Sequence, residues 1–78
     1  MKRTDLDYYI NKTVQVTFSD MESVVGKLYK SNSDYVKGNV ELKYLLNHYD
    51  KKQKYVLITR DKNYIFAAIN VRKVVEVY

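Results

Sequence analysis

Tyrosine is the residue type whose abundance and spacing in this chain favour a particular chemistry. Nine of the 78 residues are tyrosines. Three of them adjoin a lysine, namely Tyr29, Tyr44 and Tyr55. Aromatic rings beside cations are the stacking platforms with which proteins bind single-stranded nucleic acid. Tyrosine also suits half-buried strand positions, so each of these residues has a structural interpretation as well.

The charge balance points towards the same class of partner. The chain has 14 Lys and Arg residues against 9 Asp and Glu residues, which gives a net charge of +5 at pH 7. A surplus of this kind suits an anionic partner such as nucleic acid. The basic run at 51–54 is also typical of an ordinary solvated loop.

Residues that could perform catalysis or bind a metal are few. His48 is the single histidine and the chain has no Cys, so disulfides and thiolate zinc sites are excluded. Asp5 and Asp7 lie near the N-terminus, where carboxylates favour the start of a helix. No glycine-rich phosphate loop is present. We therefore expect a protein that is not an enzyme, with no cofactor, metal or small-molecule substrate.

Hydropathy gives a prediction about location. No stretch approaches the 18 apolar residues that a membrane span requires. The basic N-terminus is not followed by an apolar run, as it would be in a signal peptide. The sequence therefore predicts a soluble cytoplasmic protein without a membrane segment.

The elements that position these residues are predicted from hydrophobic periodicity, and they form one domain over 1–78. Leu6, Tyr9 and Ile10 share one face of a short helix, for which Thr4 is the expected cap. From residue 13 the apolar residues alternate with polar ones, as in strands. The predicted strands are 13–18, 23–31, 35–46, 55–59, 64–69 and 74–77.

Short sequential strands joined by tight turns predict an antiparallel meander. The predicted fold class is mainly β, with a strongly bent five-stranded barrel whose open end is covered by the N-terminal helix. The run 35–46 is long for one strand, and Gly38 is the expected bend. The strands at 55–59 and 64–69 are apolar on both faces, so we expect their surplus side chains to contact another copy. These predicted interface residues are Tyr55, Leu57, Tyr64 and Phe66.

Two sequence motifs resemble those of one family. The first comprises Leu6, the strand 14–18, Gly26-Lys27-Leu28 and the segment 39–42. The second comprises the strands 56–61 and 64–69. Their order is similar to that in Sm and Sm-like proteins, which have an N-terminal helix and a bent five-stranded sheet. The chain departs from the family in a longer segment between the two halves of the first motif, in the additional Thr59, and in Asp61 at a family glycine.

The resemblance implies a ring of six or seven subunits in which strand 55–60 of one subunit pairs with strand 64–69 of the next. It also implies binding of single-stranded, often uridine-rich RNA. In that family an aromatic residue stacks on a base, Asn binds the base edge and Arg completes the pocket, roles that fall here on Tyr35, Asn39 and Arg60. The predicted RNA-binding set further includes Asp34, Asn32 and Lys62.

Two other functions are compatible with the sequence. A small β-barrel of the kind encoded by viruses and mobile elements could serve as a structural or protein-interaction module, with the outer tyrosines and Leu57 in contact with protein. A DNA-binding barrel would use the same positive charge on duplex phosphates.

Overall fold

The strands of the chain form one antiparallel sheet. The computed structural model describes residues 1–48 and 54–78. The strands are β1 (Thr13–Phe18), β2 (Ser23–Lys30), β3 (Tyr55–Ile58), β4 (Asn63–Phe66) and β5 (Val71–Glu76), in the order β4-β3-β2-β1-β5. The helices are α1 (Arg3–Asp7), α2 (Asp34–Lys37) and α3 (Val40–Asn47), and a 3-10 turn spans Ala68–Asn70. The predicted fold class, mainly β with a short N-terminal helix, is confirmed. The basic run at 51–54 lies outside the described residues except for Lys54.

The sheet curls around one face. In a flat sheet, β1 and β4 would be about 14 Å apart, because three strand spacings separate them. Phe18 of β1 nevertheless packs edge-to-face on Phe66 of β4, with ring centroids 5.1 Å apart, and it stacks near Tyr64 at 6.1 Å. The curled sheet keeps two strands, β4 and β5, at its edges.

The main core fills the concave face. The alternation in β1 buries Val14 and Val16, as the sequence predicts. Leu6 of α1 is buried against the same cluster. The other members of the cluster are Leu28, Tyr55, Leu57, Phe66, Ala68, Val71 and Val74. Thr4 is not the cap of α1, because the helix begins at Arg3 and its N-cap residue, Lys2, makes no side-chain capping hydrogen bond.

The prediction of a strand over 35–46 is wrong, because this segment forms α2 and α3. Two caps start these helices: the Val36 N–H donates to Ser33 Oγ at 3.4 Å, and the Leu42 N–H donates to Asn39 Oδ1 at 3.0 Å. Such caps satisfy backbone donors that a helix leaves free at its N-terminus. Gly38 is the C-cap residue of α2 and does not bend a strand.

A second core lies on the opposite face of the sheet, beneath α2 and α3. It is built from Val36 and Leu42 of the helices and Val56 of β3. Tyr29, Leu46, Ile58 and Ile65 pack around it. Both apolar faces of β3 are therefore buried within one chain, so β3 has no apolar face left over for another copy.

The strand pairing predicted between subunits forms within the chain. β3 pairs with β4 in register from Tyr55 with Phe66 to Ile58 with Asn63, and its other edge pairs with β2. Since both edges of β3 are occupied, the predicted pairing of strand 55–60 with a neighbouring subunit is wrong. None of the described helices is long and apolar enough to cross a membrane.

Candidate nucleic-acid interface

Two tyrosines form a parallel aromatic stack at the end of β2. The ring centroids of Tyr29 and Tyr35 are 4.6 Å apart, and their planes differ by 8°. The ammonium of Lys27 lies 5.6 Å from the centroid of the Tyr29 ring, within the range of a cation–π interaction. Tyr35 is 51% exposed. The stack therefore combines a fixed inner ring, a nearby cation and a solvent-accessible outer ring.

Local structure holds both rings in place. Lys27 and Tyr29 lie two residues apart in β2 and so share one face of the sheet, the face that α2 covers. Tyr35 follows the Ser33 cap in the first turn of α2, and the neighbouring Val36 anchors that helix in the second core. Tyr29 packs against the same core. Both rings are therefore positioned by the second core, Tyr29 directly and Tyr35 through the neighbouring Val36.

A groove to which the described residues contribute three cationic side chains lies around the end of β2. This cationic groove encloses about 240 Å³ and is lined by Arg3, Lys30, Ser31, Asn32, Lys54 and Tyr55. The register explains the convergence, because Lys30 pairs with Tyr55 across the β2–β3 ladder. The Ser31 N–H donates to the carbonyl of Lys54 at 2.9 Å and joins the two sides of the groove.

One carboxylate, that of Asp7, contacts two residues that line this groove. The Tyr55 hydroxyl donates to Asp7 Oδ1 at 2.6 Å, and the Lys30 ammonium lies 3.3 Å from Asp7 Oδ2. The hydrogen bond from Tyr55, followed by the hydrogen bond and charge of Lys30, holds the pKa of Asp7 below its usual value despite partial burial. Burial, together with the adjacent carboxylate, raises the pKa of Tyr55. Asp7 is therefore ionised and Tyr55 neutral at pH 7.

The predicted RNA-binding residues divide between two places. Asn32 lies in the cationic groove, and Asp34 and Tyr35 follow it in the first turn of α2. Arg60 and Lys62 lie in the turn after β3, where they line a different groove together with Glu41 and Leu45 of α3. These sites are at opposite ends of β3, so the structure does not bring Tyr35 and Arg60 into one pocket.

Two of these residues have structural roles as well. The side-chain oxygen of Asn39 accepts the hydrogen bond that caps α3. In the turn that carries Arg60, the Lys62 N–H donates to Thr59 Oγ1 at 3.1 Å, and the Lys62 ammonium lies 4.8 Å from the centroid of the Tyr64 ring. Their roles in RNA recognition remain predictions.

The predicted interface residues are mostly interior. Tyr55 and Leu57 are fully buried, and Phe66 is 4% exposed, so their side chains have no surface to offer a partner. Tyr64 is partly buried against the main core. Of these four residues, Tyr64 is the one whose side chain is exposed enough to contact another copy.

Sequence reasoning missed Tyr29 and Lys27 as partners of Tyr35, and it missed the cationic groove. The signals were present in the sequence. Strand alternation puts Lys27 and Tyr29 on one face, and the Tyr29-Lys30 and Lys54-Tyr55 pairs become neighbours once β2 and β3 pair. Another pair, the exposed rings of Tyr44 and His48, lies on the C-terminal end of α3 with centroids 4.4 Å apart.

Comparison with known proteins supplies no match: no protein-family model, curated protein or solved structure matches this chain. The resemblance to Sm-like proteins therefore stays a prediction that rests on the sequence motifs. Within the part of the chain that the structure describes, no cluster of three His, Cys, Asp or Glu residues is arranged to hold a metal ion.

Proposed function

We propose that this protein is a non-catalytic, cytoplasmic module that binds single-stranded RNA, with a base stacked on Tyr35. The observation that carries the proposal is the parallel stack of Tyr29 and Tyr35 with the outer ring half exposed. A base placed on that ring extends an existing stack. The two rings are already ordered, so little conformational entropy is lost when the base binds.

The charge distribution supports a polyanionic ligand. Lys27 lies at the stack, and three further cations line the groove around the end of β2. Stacking on aromatic side chains contributes about 1–3 kcal/mol per base and tolerates many sequences. Lysine and arginine contacts to phosphates supply affinity that weakens with salt. This combination suits a flexible single strand, whose bases are accessible, better than a duplex.

The test compares binding of oligo-U and of an RNA duplex by fluorescence anisotropy at two salt concentrations. We expect oligo-U to keep measurable affinity at the higher salt, because stacking is insensitive to screening, whereas duplex binding should fade. Tyr35→Leu should weaken oligo-U binding about 5- to 150-fold, which corresponds to about 1–3 kcal/mol. Tyr35→Phe should retain most of the affinity.

Tyr8→Leu is the matched control. Tyr8 is also exposed and lies beside a lysine, with the Lys12 ammonium 3.9 Å from its ring centroid, but its aromatic neighbour Tyr9 meets it edge-on. We expect Tyr8→Leu to bind oligo-U like the wild type. Equal losses in Tyr8→Leu and Tyr35→Leu would contradict a specific stacking site.

Assembly into a ring of six or seven copies, which the resemblance implies, is a separate proposal. Among the described residues, β4 and β5 are the strands at the two edges of the sheet, and we propose that copies pair through these edges. Light scattering at low micromolar concentration tests it. A strict monomer would refute the ring and leave the proposed RNA site unaffected.

A further inference from the structure

The cationic groove has a composition that suits a particular chemical group. We propose that it binds a phosphate monoester, the terminal phosphate of the RNA strand whose base stacks on Tyr35. This inference rests on the proposed function and adds to it a preference for phosphorylated strand ends.

The charges in the groove match a terminal phosphate better than an internal one. Among the residues that the structure describes, Arg3, Lys30 and Lys54 contribute three positive charges, and Asp7, which contacts Lys30 at 3.3 Å, contributes one negative charge. A monoester carries a charge of about −1.5 to −2 at pH 7, which nearly neutralises the net positive charge of these four residues. An internal phosphodiester carries a single negative charge and would leave the groove with excess positive charge.

The donors in the groove are also suitable. A guanidinium, two ammonium groups, the Ser31 hydroxyl and the Asn32 amide can donate to the three terminal oxygens of a monoester. Asp7 contacts the Lys30 ammonium at 3.3 Å and accepts a hydrogen bond from the Tyr55 hydroxyl at 2.6 Å. Part of the site is therefore ordered before a ligand binds.

The position of the groove relative to the stack favours a nucleic acid as the source of the phosphate. Tyr29 and Lys30 are consecutive in β2 and point to opposite faces of the sheet. The turn that begins at Ser31 continues directly into α2, which carries Tyr35. An RNA whose terminal phosphate lies in the groove can therefore continue over this turn to the aromatic stack. A phosphorylated protein side chain would occupy the groove without using the stack.

The test uses hexauridine with a 5′ phosphate, a 3′ phosphate or hydroxyls at both ends, with affinities measured by competition. We expect one of the phosphorylated forms to bind about tenfold more tightly than the hydroxyl form, as expected for one additional charge-assisted contact. Arg3→Gln and Lys54→Gln should each remove most of this preference. Lys43→Gln, which removes an exposed lysine of α3 outside the groove, should preserve it.

The experiment distinguishes failure of the phosphate site from failure of the proposed base stacking on Tyr35. Tyr35→Leu should weaken all three oligonucleotides while leaving their ratio unchanged. Equal affinity for all three, or a preference that persists in both groove variants, would overturn the phosphate site even where Tyr35→Leu weakens binding. A phosphoserine peptide that binds as tightly as the phosphorylated hexauridine would overturn the assignment to RNA.

Amide NMR shifts give an independent measurement when oligonucleotide binding is weak. Inorganic phosphate should shift the backbone amides of Ser31 and Asn32 in the wild type, and the shifts should be smaller in Lys54→Gln. Shifts of equal size in the two proteins would contradict the groove as the phosphate site. Shifts that are smaller in Lys54→Gln, combined with unchanged oligo-U binding in Tyr35→Leu, would support phosphate binding in the groove and refute base stacking on Tyr35.

Discussion

Gly26 leaves no room for a Cβ against the neighbouring strand, and replacing it with alanine is a sharp test of the sheet geometry. It lies in β2 opposite Val14 of β1. A Cβ at this position would lie 2.5 Å from the carbonyl oxygen of Ile58 and 3.1 Å from Leu57 Cγ. The first contact is about 0.9 Å shorter than the 3.4 Å at which ordinary contacts begin. Because the nearer atom belongs to the backbone, no side-chain rotation relieves the overlap.

The expected cost follows from what must move. Relief of the overlap requires β3 to shift away from β2 where Lys27 pairs with Ile58. Inserting a methyl into a packed site costs about 1–3 kcal/mol, and a weakened ladder hydrogen bond adds about 0.5–1.5 kcal/mol. We therefore expect Gly26→Ala to lower the free energy of unfolding by about 2–4 kcal/mol, a large part of the stability of a small domain.

Urea unfolding followed by circular dichroism measures this change. The midpoint should fall by about 1–4 M, given a slope of about 1–2 kcal/mol/M for a small protein. Gly38→Ala is the matched control: its new Cβ would lie 3.3 Å from the Asp34 carbonyl oxygen at an exposed helix end, and the backbone there has a right-handed helical conformation that alanine adopts. We expect Gly38→Ala to stay within about 0.5 kcal/mol of the wild type. A Gly26→Ala variant as stable as Gly38→Ala, with an unchanged slope, would refute the proposed close approach of β3.

The remaining predictions concern the helices and pH. Asn39→Ala should lower the free energy of unfolding by about 1 kcal/mol, because it removes the cap of α3; no change in the urea midpoint would contradict that role. Leu42→Ala should cost about 2–4 kcal/mol, since the side chain is fully buried in the second core, whereas Tyr44→Ala on the exposed face should cost far less; similar costs would argue against the helical assignment. The lowered pKa of Asp7 means that its ionised form stabilises the folded state above about pH 4 and that this contribution is lost as the pH falls further. Asp7→Asn should therefore destabilise the protein more at pH 6 than at pH 3, and an equal effect at both pH values in urea titrations would show that Asp7 is not stabilised by Tyr55.

The segment 35–46 shows why sequence reasoning can choose the wrong element. Val36, Val40 and Leu42 fit an alternation of period two, while Leu42, Leu45 and Leu46 fit a helical face equally well. Local side-chain chemistry distinguishes the two alternatives, because Ser33 and Asn39 both stand where a helix requires a cap. Such capping signals were available in the sequence, but the apolar pattern outweighed them.

The two-sided strands led to a second error for a different reason. An apolar strand with both faces buried can be covered by another subunit or by another part of the same chain, and periodicity does not distinguish between them. Once 36–46 is helical, its apolar face covers Val56 and Ile58. The inference that strand 55–59 needs a neighbouring subunit to cover it followed from the first error and is wrong.

The sequence by itself determined the features that depend on local pattern and composition. These are the mainly β fold class, the strands predicted at 13–18 and 23–31, which the structure has at Thr13–Phe18 and Ser23–Lys30, the short N-terminal helix, and a basic, tyrosine-rich composition. The tertiary structure alone decided which of those residues meet. The stack of Tyr29 on Tyr35 requires α2 to dock on the second core, and the cationic groove requires β2 and β3 to pair in one register. Both depend on packing between segments far apart in the chain, and hydrophobic periodicity reports only which face of each segment is buried, not what covers it.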